Sequence, residues 1–138
     1  MKHYILDANA VLFYLRLPAG EGSDKIAALI REAEQGTTRL SMSVVNLGEV
    51  LYTLLKSIDE ARALQMIREL QQVISVAGAD VERTVQAAIL KHRYKMGYAD
   101  SFAAALAIEQ NGTLVSADPV FEKLERKLKW MKLPRSGG

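Results

Sequence analysis

Four strand-like runs, "HYIL" (residues 3–6), "TRLSMS" (38–43), "VISVA" (73–77) and "TLVS" (113–116), are separated by segments with helical periodicity. This alternation limits the fold more than any other feature of the chain. Strands that alternate with helices predict an α/β architecture with a mainly parallel sheet. "YIL" and "TLV" are uniformly apolar, as strands covered on both faces should be. "KWMKL" (129–133) reads as a final edge strand, so the expected sheet has four or five strands.

The helices follow from apolar spacing and punctuation. Asn9 reads as the cap of a helix over Ala10–Leu17 that stops at Pro18. "AGEGSD" (19–24) reads as a loop with a Ser/Asp helix start. Ile26, Leu29, Ile30 and Ala33 then mark one face, and Gly36 ends the helix. Val44–Lys56 places Val44, Leu47, Val50, Leu51, Leu54 and Leu55 on one arc. Asp59 starts a helix with Leu64, Ile67 and Leu70 inward, and Asp80 caps one in which Val81, Val85, Ala88 and Ile89 recur, broken by Gly97. "DSFAAALAIEQNG" (100–112) is apolar nearly all round, which predicts a deeply buried helix ending at Asn111-Gly112. Asp118-Pro119 pairs an Asp cap with Pro at the first helical position, and Phe121, Leu124 and Leu128 form the inner stripe beyond it.

With 138 residues and no internal repeat or long linker, the chain is expected to form one domain over 1–134, with 135–138 a disordered tail or an expression scar. The absence of cysteine excludes a disulfide framework and agrees with a cytoplasmic location. No apolar stretch is long enough to cross a membrane. A net charge of +2 permits a polyanionic partner without demanding one. Lys123, Arg126, Lys127, Lys129, Lys132 and Arg135 gather near the end, and on charge alone they read as a solvated helix face and tail.

The acidic residues carry the chemistry. Ligands of parallel α/β sheets sit beyond the carboxyl ends of the strands. Asp7 directly follows the first strand, and Ser116 and Asp118 end or follow the fourth. Asp100 opens the Ala-rich helix, and Glu49 lies in the helix after the second strand. Four carboxylates in one pocket would repel one another and resist ionising. A divalent cation offsets that cost, and magnesium or manganese prefers such oxygen ligands. One or two such ions can drive phosphodiester hydrolysis. With no cysteine and only His3 and His92, a Cys/His zinc site is not supported. Taken singly, Asn9, Asp100 and Asp118 are ordinary N-cap candidates. Glu49 lies opposite Leu47, Leu51 and Leu54 on a helical wheel, so periodicity places it in solvent, on a polar stripe with Asn46 and Thr53. No helix register explains Asp7. His92 reads as a core-edge histidine, and Tyr94 and Tyr98 as packing residues.

"ILDANAVL", "SVVNLGEV", "YADSFAAALA" and "LVSADPVF" resemble, in that order, the motif blocks of the PIN domain family, across Tyr4 to Phe121. Within it the chain is similar to the VapC-type toxin ribonucleases. No single block is specific, but their order, spacing and strand or helix context together are. The resemblance implies a three-layer α/β/α fold and a metal-dependent nuclease site of clustered acids. Asp7, Glu49, Asp100 and Asp118 match the four acids, which would be both catalytic and metal-binding, holding one or two magnesium or manganese ions. Asn9 matches the polar residue two positions after the first acid, and Ser116 the hydroxyl near the fourth. Asn46 stands where the family often has Thr or Ser. The resemblance also turns Glu49 toward a metal cleft and away from bulk water. It implies an RNA substrate, a small antitoxin partner and a homodimer, for which the helices from Val44 to Val73 offer a surface. Lys56, Lys91, Arg93 and Lys95, with the basic tail, are candidate phosphate contacts.

Rival readings are weaker. A receiver-like signalling module also has acids at strand ends, and "KLP" matches its late Lys-Pro. It needs a phosphoacceptor Asp closing a middle strand, where "VISVA" has none. A phosphatase with an aspartyl nucleophile needs a second Asp at the position of Asn9. A catalytically silent, partner-binding PIN-like scaffold would not need all four acids.

Overall fold

The computed structural model describes residues 1–15, 21–124 and 126–134. The expected helix stop at Leu17–Pro18, loop residues 19–20 and the tail 135–138 lie outside them. In chain order the elements are β1 (Lys2–Leu6), α1 (Ala8–Leu15), α2 (Glu21–Glu34), β2 (Thr38–Ser43), α3 (Val44–Leu55) and α4 (Glu60–Leu70). They continue with β3 (Ile74–Ala77), α5 (Val81–Tyr94), α6 (Tyr98–Gln110), β4 (Thr113–Ser116), a 3-10 helix (Pro119–Leu124) and β5 (Lys129–Lys132). The five strands form one sheet in the order β3-β2-β1-β4-β5. Every pairing is parallel, with Tyr4 opposite Leu40 on one side of β1 and Leu6 opposite Val115 on the other. "KWMKL" is thus an edge strand, paired with β4.

The central strands β1 and β4 are apolar on both sides because both sides are covered. Tyr4, Leu6, Leu40, Met42 and Val115 face a layer built from α1 to α4. Ile5 and Leu114 face the opposite layer of α5, α6 and the 3-10 helix. Neighbours along one strand point to opposite faces, so "YIL" serves both cores at once. Burying a side chain such as Ile5, which is fully buried, stabilises by roughly 1.5–3 kcal/mol. Helix α6 lies deepest, with Ser101 through Ala107 all buried. Its C-cap Asn111 takes the left-handed conformation, and Gly112 lets the chain pass close over β1: a Cβ there would meet His3 O at 3.1 Å and Ile5 Cδ1 at 3.2 Å.

Several sequence expectations change, among them the helix after Asp118, which is a 3-10 helix ending at Leu124 and leaves Leu128 beyond it. Helix α2 begins at Glu21, so the last four residues of "AGEGSD" are helical. In α5 the stripe Val81, Val85, Ala88 and Ile89 faces outward, with Val81 82% exposed, and the buried residues are Ala87 and Leu90. The small Ala87 lets α5 pack closely on α6, so the larger β-branched residues are left outside. Val44, Leu55 and Leu64 are likewise exposed, at helix ends or beside the true inner residues Val50, Leu54, Ala63 and Ile67. His92 is exposed on α5 and is not a core-edge residue.

Candidate active site

The strand order fixes where a site can form. The chain runs outward from β1 through β2 to β3, then returns to place β4 on the other side of β1. The crevice beyond the carboxyl ends of β1 and β4 is therefore the topological switch point, where open α/β sheets bind ligands. Asp7 and Ser116 meet there. The Asp7 N–H donates to Val115 O at 3.5 Å, which carries the β1–β4 ladder one step past Leu6.

Asp7 is 2% exposed. Its Oδ1 accepts from the Ala10 N–H at 2.8 Å, and its Oδ2 accepts from the Ser116 hydroxyl. Asp7 is therefore the N-cap of α1, a role that Asn9 does not fill: Asn9 sits exposed in the first turn. The expected start of that helix at Ala10 moves to Ala8, and a helix register does explain Asp7. Ser116 Oγ in turn accepts the Asp118 N–H at 3.0 Å, and Asp118 Oδ1 accepts the Val120 N–H at 2.9 Å, capping the 3-10 helix. One hydroxyl thus joins two of the four acids.

The other two come from α3 and α6. Asn46, 1% exposed, donates from Nδ2 to Ala99 O at 3.1 Å and, more weakly, to Glu49 Oε1 at 3.4 Å. That side chain ties α3 to the first turn of α6, next to Asp100. Asn46 Oδ1 is buried and finds no hydrogen-bond donor among the described residues. Asp100 does not cap α6. The N-cap is Gly97, with no side-chain capping bond, and a Cβ at Gly97 would meet Asp100 Oδ2 at 3.2 Å. The glycine makes room for the carboxylate, a role that the sequence signals only as a helix break. Glu49 is exposed, as periodicity predicts, yet it neighbours Asn46 and Asp100.

Electrostatics links all four. Burial pushes Asp7 up to about 7; hydrogen bonds from Ser116 and Ala10 oppose the rise, and the charges of Asp100 and Asp118 add to it. Asp100 is pushed up to about 6 by burial first, then by Asp118 and Glu49. Like charges held together out of water disfavour ionisation. The donor set suits a hard divalent cation: carboxylate and amide oxygens, no cysteine, and an acceptor at Asn46 still without a partner. As placed, however, no three His, Asp or Glu side chains among the described residues converge tightly enough to hold a metal ion. Asp7 and Asp118 are instead turned onto backbone and hydroxyl donors. The residues fit a cation in chemistry and charge, since each carboxylate oxygen keeps a lone pair beside the hydrogen bond it accepts. His3 Nε2 lies 2.8 Å from Ser41 Oγ, engaged away from the acids.

Among the candidate phosphate contacts, Lys56, Lys91, Arg93 and Lys95 are all exposed. Lys91 Nζ donates to Met96 O at 3.1 Å, beside the turn that leads to Asp100. Lys95 closes α5 in the left-handed conformation. Lys123 Nζ reaches Tyr94 O at 3.1 Å, so part of the basic tail also borders that turn. Tyr94 packs against the α5/α6 core, and Tyr98, though 46% exposed, stacks at a tilt on Phe102 with ring centroids 5.1 Å apart.

A family model described as "PIN domain" matches residues 4–127. No curated protein matches the chain in sequence. Among solved structures, DNA-bound VapBC from Salmonella typhimurium is similar at 17% identity and a TM-score of 0.74, covering 96% of this chain and 98% of that one. VapBC2 from Rickettsia felis, bound to a promoter DNA fragment, is similar at 17% identity and a TM-score of 0.71, covering 96% and 99%. The Mycobacterium tuberculosis toxin VapC20, which cleaves the sarcin–ricin loop, is similar at 15% identity and a TM-score of 0.63, covering 80% and 86%. At these identities the likeness is one of fold.

Proposed function

This chain belongs to the PIN domain family, and on that premise we propose that it is a metal-dependent endoribonuclease, the toxin of a toxin–antitoxin pair. Nucleases of this family generally use divalent metal ions. The observation that carries the reading is the pairing of Asp7 and Asp118 on the Ser116 hydroxyl past the ends of β1 and β4, with Glu49 and the Asp100 turn tied by Asn46. Buried like charges are costly unless a cation meets them.

Asp7, Glu49, Asp100 and Asp118 would hold one or two magnesium or manganese ions. When bound, the metal activates water and stabilises charge on phosphate oxygens. The chain's own residues position the reaction. The Ser116 hydroxyl and the Ala10 N–H fix the plane of the Asp7 carboxylate. Asn9, exposed in the first turn of α1, orients the water or a phosphate oxygen, while the buried Ser116 hydroxyl acts through Asp7. Asn46 holds α3 and α6 together and offers a spare carbonyl oxygen. Lys56, Lys91, Arg93 and Lys95 contact flanking phosphates, which position the strand without reading its sequence. Attack by water in line at phosphorus would form one P–O bond as the P–O3′ bond breaks, with a proton passing to O3′, so the products carry a 5′-phosphate and a 3′-hydroxyl.

An RNA target with exposed bases suits this site, since proteins read unpaired bases far better than an A-form helix. That VapC20 cleaves an RNA loop supports this choice. The fold shared with two VapBC complexes supports an antitoxin partner. A homodimer and a cytoplasmic location complete the proposal. No helix among the described residues is long and apolar enough to cross a membrane. The competing scaffold reading leaves four linked acids without a purpose. Sequencing RNA ends after brief expression separates the two. New 5′-phosphate ends are expected with the wild type and not with Asp7→Asn; identical end profiles would leave only the scaffold.

A further inference from the structure

Helix α3 carries one large aromatic side chain into solvent. Tyr52 is 64% exposed, and Lys56 Nζ lies 4.5 Å from the centre of its ring. Scattered exposed apolar residues are normal and by themselves mean little. The position of this pair gives it meaning. Glu49, Tyr52, Thr53 and Lys56 recur at helical spacing and share one face of α3. Glu49 is the residue of that face linked to Asp100. Tyr52 lies one turn further along, about 4.5 Å on the helix axis, and Lys56 about 10.5 Å from Glu49. The acid cluster repels a nucleic-acid backbone, so a substrate needs aromatic and cationic contacts on its flank. Single-strand binders provide this combination: an aromatic face for a base and a cation for the adjoining phosphate.

We propose that Tyr52 and Lys56 form a nucleotide subsite on α3, in which Tyr52 stacks on the unpaired base next to the scissile phosphate and Lys56 contacts the phosphate beyond it. The inference rests on the endoribonuclease reading and narrows its substrate to RNA that is single-stranded beside the cut. Stacking on an aromatic face tolerates any base, so this subsite selects unpaired geometry and leaves sequence choice to other contacts. Tyr52 and Lys56 are positioning residues that do not touch the reacting atoms.

The test uses the full chain carrying Asp7→Asn, which removes cleavage from the measurement. The probe is a 12-nucleotide oligouridine with one 2-aminopurine at its centre, titrated in magnesium. Quenching of the probe on binding is expected. Tyr52→Leu should weaken binding roughly 5- to 100-fold and abolish the quenching, whereas Tyr52→Phe should stay within about 2-fold, because stacking needs the ring and not the hydroxyl. Lys56→Gln should lower the slope of log affinity against log salt by about 1. Unchanged melting temperatures would exclude a folding effect, as expected at an exposed position. In the cleaving wild-type background, Tyr52→Leu should raise KM and leave kcat nearly unchanged. Equal binding by Tyr52→Leu and wild type overturns the subsite. So does a Tyr52→Leu chain that binds RNA normally but loses dimerisation or its antitoxin, since the pair then serves a protein partner. If the wild type cuts no RNA while stacking persists, the nuclease reading fails and the subsite stands.

Discussion

Asp7→Asn in a metal chelator should make the protein more stable, and by an amount that depends on pH. The folded Asp7 titrates at about 7 against an ordinary 3.8. Between these values the folded chain holds more protons than the unfolded one, so stability falls as pH rises through that window. The penalty is absent below about pH 4 and complete above about pH 7. At 1.36 kcal/mol per pH unit it is on the order of 4 kcal/mol at pH 8 and about 1.5 kcal/mol at pH 5. Asparagine keeps the shape: its carbonyl can accept from Ala10, and its amide can donate to Ser116 Oγ. For a chain of this size 1 kcal/mol shifts the midpoint by roughly 3–4 °C. Asp7→Asn should therefore melt about 12 °C above wild type at pH 8 and about 5 °C above it at pH 5. Thermal melts followed by circular dichroism in EDTA across that range read both gaps. A variant that melts lower at pH 8, or a gap that does not widen with pH, would contradict a carboxylate destabilised by burial. The hydrogen bonds to Asp7 would then outweigh its burial, and the carboxylate would be a structural cap.

Three more outcomes test the site and the fold around it. Carboxyl-carbon NMR titration without metal should show Asp100 ionising at lower pH in Asp118→Asn, and by a smaller shift in Glu49→Gln, because Asp118 is the larger of the two influences. Ser116→Ala strips Asp7 Oδ2 of its donor and Asp118 N–H of its acceptor. It should cost about 1–3 kcal/mol in urea unfolding at pH 8 and raise the Asp7 pKa further. Gly112→Ala presses a Cβ onto His3 O and Ile5 and should cost about 1–3 kcal/mol by the same assay.

The sheet was legible because it follows from patterns internal to each strand. "YIL" and "TLV" are apolar at every position only because helices cover both faces. The α5 stripe shows the reach of periodicity, which finds an apolar face without saying which neighbour it meets. Ala87 and Leu90 win the contact with α6, a fact of packing that Val81, Val85 and Ile89 do not reveal. The acids divide the same way. Asp7 and Asp118 follow strand ends, so the switch-point rule places them directly. Asp100 was open to a capping interpretation that Gly97 removes. Glu49 illustrates the limit of a helical wheel, which correctly reports exposure but says nothing of its neighbours Asn46 and Asp100. The shared hydroxyl of Ser116 reaches Asp7, 109 positions away in the chain, and only the β1–β4 pairing shows it.

Purified wild-type protein and Asp7→Asn, incubated with a folded RNA in magnesium or in EDTA, decide whether the acid cluster cuts RNA with a metal. Discrete fragments with 5′-phosphate and 3′-hydroxyl ends are expected from the wild type in magnesium alone. Cleavage that persists in EDTA, or that Asp7→Asn performs at the wild-type rate, would contradict it.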